Sequence, residues 1–229
     1  MTEEPQNLKE ISTRWSEVRD VNRFVLRYTP AMQKYLAVIL QDEDTAQDVL
    51  QSFLVRVIQK GFRDSIPDSG RFRDYLTRSV RNAAINQIRS KKMAQAGEIM
   101  LQQIESKWKT NDENWRRSWT ECLVQRAWDA MEAQDYEAKT KTHFYAILRH
   151  ATDHPKQSSD DAAAAVSSSL AVSLNAAAYR QQLSRARKQF AEFLVAEVRA
   201  TLEDPTPEML QNEIAELGLL PFVGKTLAD

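Results

Sequence analysis

The 229 residues carry 31 Lys or Arg against 32 Asp or Glu, a formal net charge of -1, so the chain is not a polycation that adheres to any anionic surface. A single cysteine, Cys122, excludes an internal disulfide and a cysteine-built metal cage, and no apolar run approaches the ~20 residues of a membrane span. Only five glycines, no period-two β-branched runs and an abundance of Ala, Leu, Gln, Glu and Arg favour an all-helical chain of one large or two small domains.

The opening stretch MTEEPQNLKE lacks the basic start and apolar core of a signal peptide, which points to a soluble, cytoplasmic protein. From Ile11 a helical set follows, with Trp15, Val18, Phe24, Val25, Tyr28, Met32, Tyr35, Leu36 and Ile39, and Pro30 is expected to break it or to start a new helix. Gln41-Asp42-Glu43-Asp44 supplies cap residues for a second helix from Thr45 to Lys60. Its apolar stripe is Ala46, Val49, Leu50, Phe53, Leu54, Val57 and Ile58. The outer face carries Asp48, Gln51, Ser52, Val55 and Arg56. Gly61 ends it, and a loop over Arg63–Ser69 turns into the next helix.

Gly70 to Lys92 holds seven Arg or Lys (Arg71, Arg73, Arg78, Arg81, Arg89, Lys91, Lys92) against one acid, Asp74. Phe72, Leu76, Val80, Ala83, Ala84 and Ile88 recur at the spacing of one helical face. Arg78, Arg81, Asn82, Asn86, Gln87 and Arg89 fall on the remaining arc. A cationic face studded with amides suits a phosphate backbone with readable bases, although a merely solvated basic helix has the same pattern. Phe62, Phe72 and Tyr75 offer faces for base stacking, but their spacing fits core packing better.

Met93 to Asn114 loses periodicity and reads as a linker with residual helix. Trp115 opens a second domain with one helix to about Ala133 (Trp119, Leu123, Ala127, Met131) and a shorter one over Thr142–Ala151, before a break at His154-Pro155. Ser158 and Ser159, followed by Asp160-Asp161, start a further helix. The turn after it lies at Leu170–Ser173 or at Val172–Asn175, and the sequence does not choose. A long helix then runs from Ala176 to about Leu202. Its stripe is Tyr179, Leu183, Ala186, Phe190, Phe193, Leu194 and Val198, with Arg180, Arg185, Arg187 and Lys188 outside it. Asp204-Pro205 stops it, and Pro207–Leu220 reads as one amphipathic helix with an acidic face. Short helix, turn and longer basic helix form a helix-turn-helix pattern. The tail from Thr201 has six acids against one Lys, so it is expected to fold back on the basic surfaces.

His143, His150 and His154 include an i, i+4 pair, yet His154 precedes Pro155, where the helix should have ended. No metal site is expected, no Gly-rich phosphate loop or nucleophile motif is present, and neither an enzymatic activity nor a cofactor is implied.

Taken together, these segments resemble an extracytoplasmic-function (ECF) sigma factor of the sigma-70 family, in a branch common in planctomycetes, from Thr13-Arg14-Trp15-Ser16 through Glu213. Arg27-Tyr28-Thr29-Pro30-Ala31 with Tyr35-Leu36 resembles the first helices of the family's domain two. Asp44 to Phe53 resembles the helix that docks on the β′ coiled coil of RNA polymerase, which implies polymerase contacts at Asp48, Gln51, Ser52 and Val55. Gly70 to Leu76, continuing to Arg81-Asn82 and Asn86, resembles the helix that melts and reads the minus-ten element. The DNA set so implied is Arg71, Arg73, Arg78, Arg81, Asn82, Asn86, Arg89, Lys91 and Lys92. Tyr179 to Phe190 resembles the domain-four helix that reads the minus-thirty-five element, implying Asn175, Arg180, Ser184, Arg185, Arg187 and Lys188. That helix opens on Asn175-Ala176-Ala177-Ala178, poor in base-reading side chains, so its readout is expected to rest on Arg180 and its neighbours. Phe193 to Val198 and Thr201 to Pro205 resemble the branch's C-terminal extension. The implied layout is domain two at 11–95, a linker at 96–114, domain four at 115–202 and an acidic extension at 203–229. The implied partners are core RNA polymerase (β′ coiled coil and β flap), promoter DNA and an anti-sigma factor, with no membrane. A helix-turn-helix regulator or helical interaction module acting without polymerase is the alternative.

Overall fold

A computed structural model describes residues 21–60, 72–90, 112–137, 142–202 and 205–224. The helical set from Ile11 to Val18, the loop over Arg63–Ser69 and most of the expected linker lie outside these residues. The described residues form helices, with no strand among them. The chain divides into two compact units, Met1–Cys122 with Thr201–Asp204, and Leu123–Ala200 with Pro205–Asp229.

The first unit is built on α1 (Val21–Leu40), α2 (Glu43–Lys60) and α3 (Phe72–Ser90). Pro30 does not break α1: the helix runs through it. Proline removes one backbone donor, but Pro30 is exposed, while Tyr28, Ala31, Met32, Tyr35, Leu36 and Ile39 are buried on both sides of it. Burial of that stripe outweighs the lost hydrogen bond. Gln41, at φ 52°, closes α1, and its N–H donates to the Ala37 carbonyl at 3.0 Å. The Thr45 hydroxyl then donates to the Asp42 carboxylate at the start of α2. Along α2, Ala46, Val49, Leu50, Phe53 and Val57 are buried as their period requires. Leu54 is half-buried, and Ile58 departs from the stripe at 57% exposed.

The next helix, α4 (Asp112–Glu137), begins before Trp115 and continues past Ala133. The boundary between the units falls after Cys122, so the first turns of α4 belong to the first unit rather than to a domain that opens at Trp115. There Trp119 stacks on Tyr28 with centroids 5.1 Å apart, and Trp115 meets the Tyr35 edge at 5.0 Å. The Cys122 thiol donates to the Arg27 carbonyl at 3.3 Å, a buried structural role. Lys34 pairs with Glu121 at 3.0 Å, an exposed ion pair worth no more than ~1 kcal/mol. The indole N–H groups of Trp115 and Trp119 are buried without a partner among the described residues.

In the second unit Trp128, on α4, meets Phe190 at 4.7 Å and Tyr145 at 5.7 Å, and Arg126 pairs with Glu197 at 2.7 Å. Helices α5 (Phe144–Asp153), α6 (Ser159–Leu170) and α7 (Ala176–Arg199) pack on one another around Ile147, Ala162, Ala163, Val166 and Tyr179. The break at His154-Pro155 falls where expected. His143, at φ 55°, gives α5 no side-chain cap. Asp135 of α4 supplies one instead, accepting from the Tyr145 N–H at 2.8 Å and from the Thr142 hydroxyl at 2.9 Å.

The extension expected as one helix divides in two, α8 (Pro207–Glu216) and α9 (Leu220–Val223). Gly218, at φ 69°, ends α8: the Leu219 N–H reaches the Ile214 carbonyl and the Gly218 N–H the Ala215 carbonyl, both at 3.0 Å. Both short helices pack against α7, and Leu210, Ile214, Leu217, Leu219 and Val223 are buried.

Candidate nucleic-acid interface

Helix α3 buries Leu76, Val80, Ala83 and Ala84, the face its periodicity predicts. Thr77 is buried too, its hydroxyl donating to the Arg73 carbonyl at 2.8 Å. Asn82, Asn86, Arg78 and Arg89 are exposed together on the opposite arc. The Arg78 Nε donates to the Asp74 carbonyl at 3.4 Å, a weak tether along the helix surface. Arg81 is half-buried. Its Nε donates to the Tyr35 hydroxyl at 2.6 Å, and its guanidinium lies 5.8 Å from the Tyr35 ring centroid. Arg81 therefore ties α3 to α1 as well as adding positive charge beside the amides.

Arg73 departs from the expected cationic face. Its residue is only 7% exposed and its Nε lies 3.6 Å from Asp74, so in this structure the guanidinium is turned away from a solvent-borne phosphate. Arg71, Lys91, Lys92 and Phe62 lie outside the described residues. Tyr75 is half-buried. What α3 can do chemically is hold phosphates through Arg78 and Arg89 while Asn82 and Asn86, one turn apart, present donor and acceptor pairs to base edges.

On α2, Asp48, Gln51 and Val55 are exposed and Ser52 is half-buried, with Val55 at 44% exposed. Ile58, one turn beyond Val55, extends that face with a second large apolar side chain. Its periodicity had assigned Ile58 to the core stripe. A residue at the edge of a helical stripe can be turned either way by its neighbours, which single-helix periodicity does not encode.

The second unit contains a helix-turn-helix arrangement. Ser158 caps α6: its Oγ accepts from the Asp161 N–H at 3.2 Å and donates to the Asp161 carboxylate at 2.7 Å. The turn comprises Ala171–Asn175, which takes in the whole of the Val172–Asn175 register, while Leu170 is still the last residue of α6. Ser167, on α6, organises it. The Val172 N–H reaches the Ser167 carbonyl at 3.1 Å, and the Ser167 hydroxyl accepts from the Leu174 N–H at 3.0 Å and meets the Leu174 carbonyl at 3.3 Å. Ala171 sits at φ 52°, a left-handed conformation in which a Cβ costs roughly 1–2 kcal/mol. Ala171→Gly is therefore expected to stabilise the unit by roughly 0.5–1 kcal/mol. A thermal melt checks it; an unchanged or lower midpoint contradicts it.

Asn175 caps α7, its Oδ1 accepting from the Ala178 N–H at 2.8 Å, which commits half of its amide to the helix itself. Arg180, Ser184, Arg185, Arg187 and Lys188 are all exposed on α7. Burial pushes the Tyr179 phenol up from its usual range, the nearby Arg187 charge pulling partly the other way, so it stays neutral in the core beneath them. His150 and His154 have ring centroids 4.6 Å apart, and His150 bonds Gln157 at 2.7 Å. No group of three or more potential metal ligands occurs among the described residues. Nor, among them, is any helix long and apolar enough to cross a membrane.

No curated protein and no solved structure matches the chain. Residues 24–93, the segment holding α2, α3 and nearly all of α1, match the family model for Sigma-70 region 2, and that match supports a sigma-70 family sigma factor.

Proposed function

We propose that the chain is an ECF-type sigma factor that binds core RNA polymerase, recognises a two-part promoter and directs initiation. The observation that carries this is the coincidence of the Sigma-70 region 2 match with an α3 whose exposed arc joins Arg78 and Arg89 to Asn82 and Asn86. In this proposal residues 11–95 act as domain two. The α3 arginines neutralise phosphates and release counterions, and the two asparagines receive base edges of the opened strand. Unstacking a base costs a few kcal/mol, so polymerase must hold the domain against the DNA while α3 captures it.

The polymerase contact is assigned to Asp48, Gln51, Ser52 and Val55 on α2, with Ile58 extending its apolar part. Val55→Asp is expected to weaken association with core polymerase at least ten-fold while leaving the fold intact, since Val55 is exposed. Titration of labelled protein with core enzyme measures it, and unchanged affinity removes that face from the contact. Residues 123–200 supply the helix-turn-helix for the upstream element, and an anti-sigma factor is a natural regulator of such a chain. Membership of the planctomycete-like branch belongs to the same proposal.

The decisive experiment is in vitro transcription with core polymerase on a genomic library, followed by mapping of start sites. Start sites sharing a two-part motif, absent with core enzyme alone, support the proposal. Footprints on duplex DNA without any polymerase-dependent transcript favour a helix-turn-helix regulator instead.

A further inference from the structure

The exposed arc of α7 goes one step beyond the function proposed above and rests on its assignment of that helix to DNA. We propose that Gln181 is the base-reading residue of α7, taking the edge of an adenine in the major groove, and that Arg180 holds the phosphates beside it. Successive residues of an α-helix are turned by about 100°. The side of α7 packed into the unit is marked by buried Tyr179, Ala186 and Phe190 with half-buried Leu183. Gln181 lies roughly opposite all four, at the crest of the exposed arc. Ala177, Ser184, Arg185 and Lys188 fall within about 60° of it, whereas Arg180 and Arg187 stand about 100–120° away on one flank. The arginine expected from sequence to read bases is therefore displaced from the crest, and its neighbour occupies it.

The start of the helix reinforces this assignment. Ala176, Ala177 and Ala178 carry no polar side-chain group, and the Asn175 oxygen is committed to the cap. Gln181 is thus the first polar side chain met along the crest from the N-terminal end, the end that enters the groove in helix-turn-helix readers. Small alanines before it let the helix approach closely. The Gln181 side chain makes no hydrogen bond to the described residues and is exposed. In contrast, the Gln189 amide donates to Gln134 and the Gln182 oxygen is buried. A free carboxamide offers one donor and one acceptor in the fork that matches adenine N6 and N7. A guanidinium on the flank suits the phosphates lining the groove, which fix register without reading sequence.

The test is promoter selection by holoenzyme reconstituted from the full chain and core polymerase, using a template library with a randomised upstream block. Gln181→Ala is expected to reduce the preference for adenine at one position by roughly ten- to hundred-fold and to leave the other preferences in place. Gln181→Glu should move that position towards cytosine, whose exocyclic amine donates to a carboxylate. Arg180→Ala should lower output evenly across sequences and lessen its salt dependence. Unchanged base preferences in Gln181→Ala would overturn the assignment, and so would a changed preference in Arg180→Ala alone. If the wild-type chain supports no promoter-dependent transcription, the sigma-factor function is what fails. Selection of duplex DNA by the chain alone, with the same variants and the same expected preferences, then decides Gln181.

Discussion

Replacing both Arg78 and Arg89 by Glu is expected to lower promoter opening by at least ten- to hundred-fold at ~0.1 M salt, with the thermal midpoint nearly unchanged. Both side chains are exposed on the arc that carries Asn82 and Asn86, so the change reverses charge on the face of α3 without touching its core. Each lost phosphate contact should also flatten the dependence of log affinity on log salt by about one unit. Arg81→Glu is expected to behave differently. The buried Tyr35 hydroxyl loses the Arg81 donor at 2.6 Å, so that variant should also lose roughly 1–2 kcal/mol of stability. Permanganate footprinting of the opened strand, read beside a urea melt, separates the two effects. Retention of opening in the Arg78 and Arg89 double variant would remove α3 from the DNA contact.

Trp119→Ala should have the largest effect on folding, about 3–5 kcal/mol of destabilisation. Trp119 is 1% exposed and stacks on Tyr28 while also meeting Trp115 at 5.6 Å, so its removal opens a cavity inside the first unit. Against a typical total of about 5–15 kcal/mol, such a loss approaches unfolding at physiological temperature. Trp119→Phe is expected to cost much less, below ~2 kcal/mol. It keeps the aromatic face, and it also removes an indole N–H that is buried without a partner among the described residues. Denaturant unfolding of the two variants tests the comparison. Equal losses would mean that the aromatic ring retained by Phe contributes nothing at this position.

The effects expected for Arg78 and Trp119 come from different levels of the molecule. The exposed arc of α3 was legible because a helix with one apolar stripe leaves only one face for its charges. Within that arc, however, Arg73 is buried and Arg81 is held by Tyr35, 46 positions away. Neither fact follows from spacing along α3. On α7 the cationic character and the apolar stripe were both legible, so the displacement of Arg180 from the crest follows from spacing alone, and the structure adds that Tyr179, Ala186 and Phe190 are buried while Gln181 is exposed.

The amino-acid sequence alone determined the all-helical class, the apolar stripes of α1, α2 (Ile58 apart), α3 and α7 at the positions described, the break at His154-Pro155 and the Ser158 start of α6. All of these are short-range effects, set by interactions within a turn or two of helix and by the missing donor of proline. Only the tertiary structure decided that α1 continues through Pro30, that Trp115 and Trp119 pack with Tyr28 and Tyr35, that Asp135 caps α5 and that Ser167 sets the turn before α7. The partners in most of these contacts lie well apart along the chain, and even the nearest, Ser167 and Leu174, are joined across a turn whose two registers the sequence left open. Their free energy depends on which helices meet, and hydrophobic period records only that a face will be buried, not against what.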